Sequence, residues 1–262
     1  MTSRRHAARD AADRSVEELE VVLSAAQSTS DELVAVAAHP SLNEDLALLL
    51  LRRRDLSAEV LEALKRNGRT LKNRKVRLAL ITHQKAPKHV SLPEVRHLFT
   101  FELMKVALLP HTPADVKIAA EEVLISRLET ISSGERLSLA KQGSGAIASA
   151  LLLDVEKRIA QAAMDNPRLT EILVIRALQR QCSMQDPTPH LAPDICRHSK
   201  WSQRKEVRAV LLRHPFTPLA QAIIFAKALP AYLVRDVLKK SRLPENVKSY
   251  LQEMSDRSVR KP

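Results

Sequence analysis

The chain repeats itself, and this constrains its fold more than any other feature. Displaced by 131 positions, so that Lys75 lies over Glu206, the segment KVRLALITHQKAP falls on EVRAVLLRHPFTP without a gap. Val76, Arg77, Leu80, His83 and Pro87 meet Val207, Arg208, Leu211, His214 and Pro218. The same displacement carries Leu98, Val106, Pro113, Val116, Lys117 and Glu122 onto Leu229, Val237, Pro244, Val247, Lys248 and Glu253. Upstream, HPSLNEDLALLLL lies over NPRLTEILVIRAL at a displacement of 127, with Pro40 over Pro167. The second copy regains the other frame through the extra loop CSMQDPTP, an insertion suited to a surface turn. A self-match of this kind is the signature of a repeat architecture.

Helix is the element being repeated. Only 3% of residues are aromatic and four of 262 are glycine, a composition that favours helices packed through short aliphatic side chains over a β sandwich or barrel. Turn-like clusters at HPSLN, RRDLS, RNGRT, HQKAP and PHTP each precede a helical apolar pattern. In HPFTP the histidine can end one helix, the first proline stop it, and Thr217-Pro218 open the next. Segments of about ten residues are too short to hold helix alone, so stability has to come from stacking neighbour on neighbour. The expectation is an all-α chain: an α-solenoid of short antiparallel helix pairs with an internal duplication.

The runs NRKVRLAL, SQRKEVRAVLL and, more loosely, DVEKRIAQAAM resemble the second helix of HEAT-like repeats, and the short helices with H/N-P turns resemble leucine-rich-variant repeats. The chain is also similar to uncharacterised bacterial helical-repeat proteins. The resemblance covers most of residues 30 to 254 and implies a helical-repeat fold. It carries no activity across. The iron–sulfur cysteine cluster associated with one leucine-rich-variant protein has no counterpart in this sequence.

Residues 1–14 read as a disordered basic arm and 255–262 as a disordered tail, with a single solenoid over 15–254 between them. Copy one spans about 39–123 and copy two about 166–254. The connecting helices of 124–165 hold three of the four glycines and are the best place for a bend. No apolar run is long enough for a membrane span, and the N-terminus lacks a secretory signal. Two cysteines without a C-x-x-C pair fit a reducing cytoplasm, where the protein is expected to reside.

Several chemical motifs fail on inspection. GSGAIA (143–148) fits the dinucleotide fingerprint, but that mechanism needs a preceding strand, and RLSLAKQ reads as helix. His39, His83, His198 and His214 share a turn position with Asn67 and Asn166, which points to capping rather than to metal. No activated nucleophile is visible, so neither a catalytic residue, a metal nor a cofactor is assigned. A HEAT-like DNA glycosylase, with Trp201, Asp194 and Arg204 in its roles, is a remote alternative.

Charge is the strongest functional signal. The formal net charge is +12, and between Arg52 and Lys88 twelve basic residues face three acidic ones. Arg66, Arg69, Arg74 and Arg77 lie over Arg197, Lys200, Lys205 and Arg208 in the second copy, with Trp201 and Arg204 alongside. These ten residues are the candidate anion or partner-binding set. Equivalent positions in a solenoid face the same way, so they would form two like-charged patches. The expected function is a non-catalytic scaffold that binds an acidic protein, with sequence-nonspecific nucleic-acid binding through phosphates as the alternative.

Overall fold

The structure is a computed structural model that describes residues 15–259 except 26, 186 and 187, with backbone alone for residue 231 and from 255 onward. The chain is all-α: among the described residues there are eighteen helices and no strand. It divides into two compact units, 1–127 and 128–262. The first contains α1 (Val16–Ser24), α2 (Ser30–Ala38), α3 (Glu44–Arg52), α4 (Ala58–Arg66), the single turn α5 (Gly68–Leu71), α6 (Arg74–Thr82), α7 (Lys88–Val95), α8 (Thr100–Leu108) and α9 (Ala114–Arg127). The second contains α10 (Ser133–Gln142), α11 (Gly145–Leu151), α12 (Lys157–Met164), α13 (Glu171–Gln181), α14 (Leu191–Arg197), α15 (Lys205–Leu211), α16 (Leu219–Lys227), α17 (Ala231–Lys239) and α18 (Glu245–Val259).

Short polar residues open the helices. Ser15, Thr29 and Ser132 each accept a hydrogen bond from the backbone N–H three residues on, and the glutamate at that position returns one, closing a capping box. Asn43, Asn73 and Ser144 cap α3, α6 and α11 with their side-chain oxygens alone.

Within the first unit, apart from the single turn α5, each helix packs on the one after next. Helices α1, α3, α6 and α8 form one layer and α2, α4, α7 and α9 the other. The second unit repeats the scheme with α11, α13, α15 and α17 in one layer, α10, α12 and α14 in another, and α16 against α18. Displaced by 131, α8 (Thr100–Leu108) coincides at both ends with α17 (Ala231–Lys239), and α6 and α15 share their first residue. Displaced by 127, α2 and α3 start where α12 and α13 start. Matching helix starts thus reach upstream of residue 39.

Neighbours in a layer run parallel, because the end of one helix tends the end of the helix two before it. The Arg53 guanidinium donates to the carbonyls of Leu23 and Ala25 at the end of α1, at 3.0 and 2.8 Å. Asn67 does the same for Ala37 and His39 at the end of α2 and Arg127 for Arg96 and Leu98 after α7, while the His83 ring meets the Arg53 carbonyl after α3. In the second unit Asn166 reaches Ala140 and Gly143, the Trp201 indole reaches Met164, and Ser241 reaches Leu212. The last carbonyls of a helix have no partner inside it, and a buried helix end needs donors from elsewhere. This ladder supplies them.

The apolar stripes meet between the layers. Leu19, Leu33, Leu50, Val60, Leu64, Val76 and Leu80 belong to one buried cluster of the first unit. Gly143 ends α10, and Gly145 begins α11 so tightly that an added Cβ would lie 2.5 Å from the Arg168 carbonyl oxygen. Packing explains this glycine pair, which forms a helix-to-helix turn.

Three details differ from the sequence reading or escape it. RNGRT contains a helical turn, α5, rather than a plain loop. Helix α18 runs to Val259 instead of ending at 254, because no proline or glycine interrupts EMSDRSV. The arm of residues 1–14 lies outside the described residues, as do positions 186 and 187 of the inserted loop.

Candidate functional site

Two edges of the helix layers carry exposed cations. At the N-terminal edge of the first unit, Asn73 caps α6 by accepting from the N–H groups of Lys75 and Val76, which places Arg74 and Lys75 in the first turn. The single turn α5 adds Arg69 and Lys72, both exposed. Cations at a helix N-terminus oppose its dipole, so acids from parallel neighbours answer them. Lys75 lies 2.9 Å from Glu44 at the start of α3, and Arg74 lies 3.0 Å from Glu102 in the first turn of α8. The hydrogen bond from Lys75 holds the Glu44 carboxyl below its ordinary range. Arg69 and Lys72 have no ion pair among the described residues.

The other candidates of this unit are placed differently. Arg66 ends α4 and stands 3.5 Å from Glu62. Arg77 is mostly covered and bridges α6 to α7 through Glu94 at 3.4 Å. Much of the positive charge between residues 52 and 88 is thus met by Glu44, Glu94, Glu102 and Asp115, all outside that window.

In the second unit Arg204 precedes α15 and Lys205 begins it, both exposed and without an ion pair among the described residues. Lys200 is exposed and its ammonium sits 4.1 Å from the centre of the Trp201 ring. Arg197 lies 3.6 Å from Asp194, which Lys157 also approaches at 3.5 Å. Arg208 donates to the Ser202 carbonyl at 2.6 Å and faces the Phe225 ring.

Trp201 must be moved from the contact surface to the core. It is 1% exposed and its indole N–H is spent on Met164, so no ligand can stack on it. The role it would have played in a glycosylase lacks an exposed ring. The accessible aromatics lie elsewhere. Phe99 and Phe101, 58% and 49% exposed, flank the first residue of α8, and the Arg74 guanidinium lies 3.8 Å from the Phe99 ring centre. Tyr232, 69% exposed, occupies the position equivalent to Phe101 at the start of α17. The C-terminal ends of α15 and α17 are joined through Ser241 and Leu212, so their N-terminal ends, with Arg204, Lys205 and Tyr232, share the opposite edge. The alignment of Phe101 with Tyr232 was available in the sequence under the 131-residue displacement.

The C-terminal edge of the first unit holds a cavity of about 330 Å³ between the ends of α3 and α6, lined by Arg52, Arg53, Arg54, His83, Gln84, Lys85 and His111, with no carboxylate among its lining residues. Sequence reading counted most of these cations without gathering them, because the cavity forms only when α6 packs on α3.

The remaining chemistry is structural. Nδ1 of His39, His83, His198 and His214 accepts the backbone N–H two residues on, and Asn166 does so through its side-chain oxygen. No cluster of His, Cys, Asp or Glu among the described residues could hold a metal ion. Burial pushes the Cys196 thiol up to about 12 and also raises that of Cys182, the reverse of nucleophile activation. No helix among the described residues is long and apolar enough to cross a membrane. Comparison with protein-family models, curated proteins and solved structures finds no significant match to this chain.

Proposed function

We propose that the chain is a HEAT-like α-solenoid with an internal duplication, acting as a non-catalytic scaffold that binds an acidic protein through the N-terminal edges of its helices. The packing of each helix on the one after next and the recurrence of helix starts at displacements of 127 and 131 support the architecture. One observation carries the function: exposed cations and an exposed aromatic recur at equivalent positions of both units, on the edge formed by the same helix starts. The equivalent sets are Arg69, Arg74 and Phe101 in the first unit and Lys200, Lys205 and Tyr232 in the second, with Lys72 and Phe99 added in the first and Arg204 in the second. Aromatic and arginine side chains dominate binding hot spots, and surrounding cations select a negatively charged partner. Arg66, Arg77, Arg197 and Arg208 play the lesser part of shaping these edges through their intrachain contacts.

The same combination could stack bases and contact phosphates, which makes single-stranded nucleic acid the second reading. Fluorescence anisotropy with an acidic peptide and with single-stranded DNA and RNA, across a salt series, separates the two. The scaffold reading expects saturable peptide binding that weakens in Phe101→Ala with Arg69→Glu and in Tyr232→Ala with Lys200→Glu. Binding of nucleic acid with a steep salt slope and none of the peptide would replace it with the second reading. Binding of neither sinks both.

A further inference from the structure

We propose that the cavity between the C-terminal ends of α3 and α6 is a binding site for a compact group bearing two adjacent phosphoryl units, as a soluble diphosphate or a lipid headgroup. The site lies at the other end of α6 from the edge used in the scaffold reading and does not depend on it.

Two lining side chains are already committed. Arg53 forms a bidentate pair with Asp55, at 3.1 and 2.7 Å, while donating to Leu23 and Ala25. His83 interacts through both ring nitrogens, with the Lys85 N–H and the Arg53 carbonyl. They form a fixed floor. Arg52, Arg54, Gln84, Lys85 and His111 are exposed and line the cavity, and among the described residues none of their side chains forms a hydrogen bond or an ion pair, although the charge of Lys85 is felt by the Asp55 carboxylate that Arg53 already holds.

A bland explanation exists, since cations gather at helix C-termini to offset the carbonyl dipoles. Two observations count against it. Four of the carbonyls at these ends are already used: Leu50 accepts from the Arg53 N–H, Arg53 interacts with His83, Leu80 accepts from the His83 N–H, and His83 accepts from the Ala86 N–H. The second copy, with the same turn, lacks the cations of Arg52, Arg54 and Lys85, and the arginine it has at the position of His111, Arg242, is committed to the Cys182 carbonyl. Gln179 and Gln181 stand at the positions of Arg52 and Arg54, and Phe216 at that of Lys85. The buried Gln181 donates to the Thr188 carbonyl, and Phe216 lies against the His214 ring. The scaffold needs no cation at these positions, so their presence in copy one requires another cause.

The charge and shape select the ligand. Three permanent cations surround a space with no lining carboxylate, and a single carboxylate would leave two of them unanswered. A phosphoryl group carries about −1.5 to −2, so two adjacent ones supply roughly three charges and enough oxygens for the forked guanidinium donors. The volume of about 330 Å³ is at the small end of ligand sites and exceeds what one such group fills.

The test is calorimetric titration of the full chain with inorganic pyrophosphate. The expected result is saturable binding at one site, weakened at least about tenfold in the variant Arg52→Gln, Arg54→Gln, Lys85→Gln and unchanged in Arg69→Gln, Lys72→Gln at the opposite edge. Lys85→Phe, which installs the residue of the second copy, should weaken binding by itself while the thermal melt stays that of the wild type. Vesicles containing a bisphosphorylated inositol lipid distinguish the source. Vesicle binding that pyrophosphate displaces assigns a lipid headgroup, and pyrophosphate binding without vesicle binding assigns a soluble ligand. Absence of saturation, or equal loss in the variants of both edges, reduces the effect to diffuse charge and overturns the proposal.

Discussion

The Asn67 side-chain amide donates to the backbone carbonyl of His39 at 3.0 Å, joining the end of α4 to the end of α2. Asn166 repeats the relationship in the second unit, where its amide donates to Ala140 and Gly143 from a fully buried position. Asn166→Ala should cost about 2 kcal/mol, since it removes two donors and leaves buried carbonyls unsatisfied. Asn67→Ala should cost less, because water reaches that partly exposed turn. Urea denaturation of the two variants against the wild type checks the order, and an equal loss contradicts it.

Burial depresses the pKa of His214 from 6.5 to about 4, with the positive charge of Arg242 acting in the same direction and the Leu178 backbone opposing both. The Phe216 ring packs against the imidazole. The folded state therefore keeps this imidazole neutral where the unfolded chain would protonate it. Stability falls as pH drops from about 6.5 to about 4 and gains no further loss from this residue below that, a contribution on the order of 3 kcal/mol. His214→Asn, which copies the turn residue at 166, should flatten the difference in unfolding free energy between pH 7 and pH 4.5. A variant as acid-sensitive as the wild type would exclude His214 as the cause.

Arg136 bridges α10 to the turn before α12, with one nitrogen 2.9 Å from Asp154 and the other 2.8 Å from Glu156. The Asp154 side chain is only 4% exposed, so removing the cation strands a buried carboxylate. Arg136→Ala should destabilise the second unit by about 3 kcal/mol, and Asp154→Asn should recover part of that loss in the Arg136→Ala background. Additive losses in the double-variant cycle would show that the two side chains do not interact.

Gly145→Ala places a methyl group 2.5 Å from the Arg168 carbonyl oxygen and 2.9 Å from the Leu173 side chain. Backbone must move to admit it, at a cost of about 1 to 3 kcal/mol. Gly134→Ala has open space around the added carbon and should stay within about 0.5 kcal/mol of the wild type. Thermal melts of the pair provide the comparison.

Local signals were legible in the sequence. The Ser15–Glu18 box, the stop at His39-Pro40 and the opening of α9 after Pro113 all follow from short-range capping and proline chemistry. The helices of the 124–165 connection were readable for the same reason. Relationships about thirty residues apart were hidden. Lys75 with Glu44 and Arg74 with Glu102 become pairs only when alternate helices pack in parallel, so the charge between residues 52 and 88 looked freer than it is. Trp201 misled because an amphipathic ring near basic residues reads as surface, whereas its N–H found a buried carbonyl at Met164. The cavity at Arg52, Arg54 and Lys85 had no local signature, because two turns far apart in sequence supply its walls.

The ladder of helix-end donors fixes how such a chain can change length. The single turn α5 apart, each rung answers the helix two earlier, so adding or deleting one full helix would reverse the direction of everything downstream and present donors where no acceptors wait. Gain or loss in pairs preserves every match. Growth of this architecture therefore obeys a parity rule.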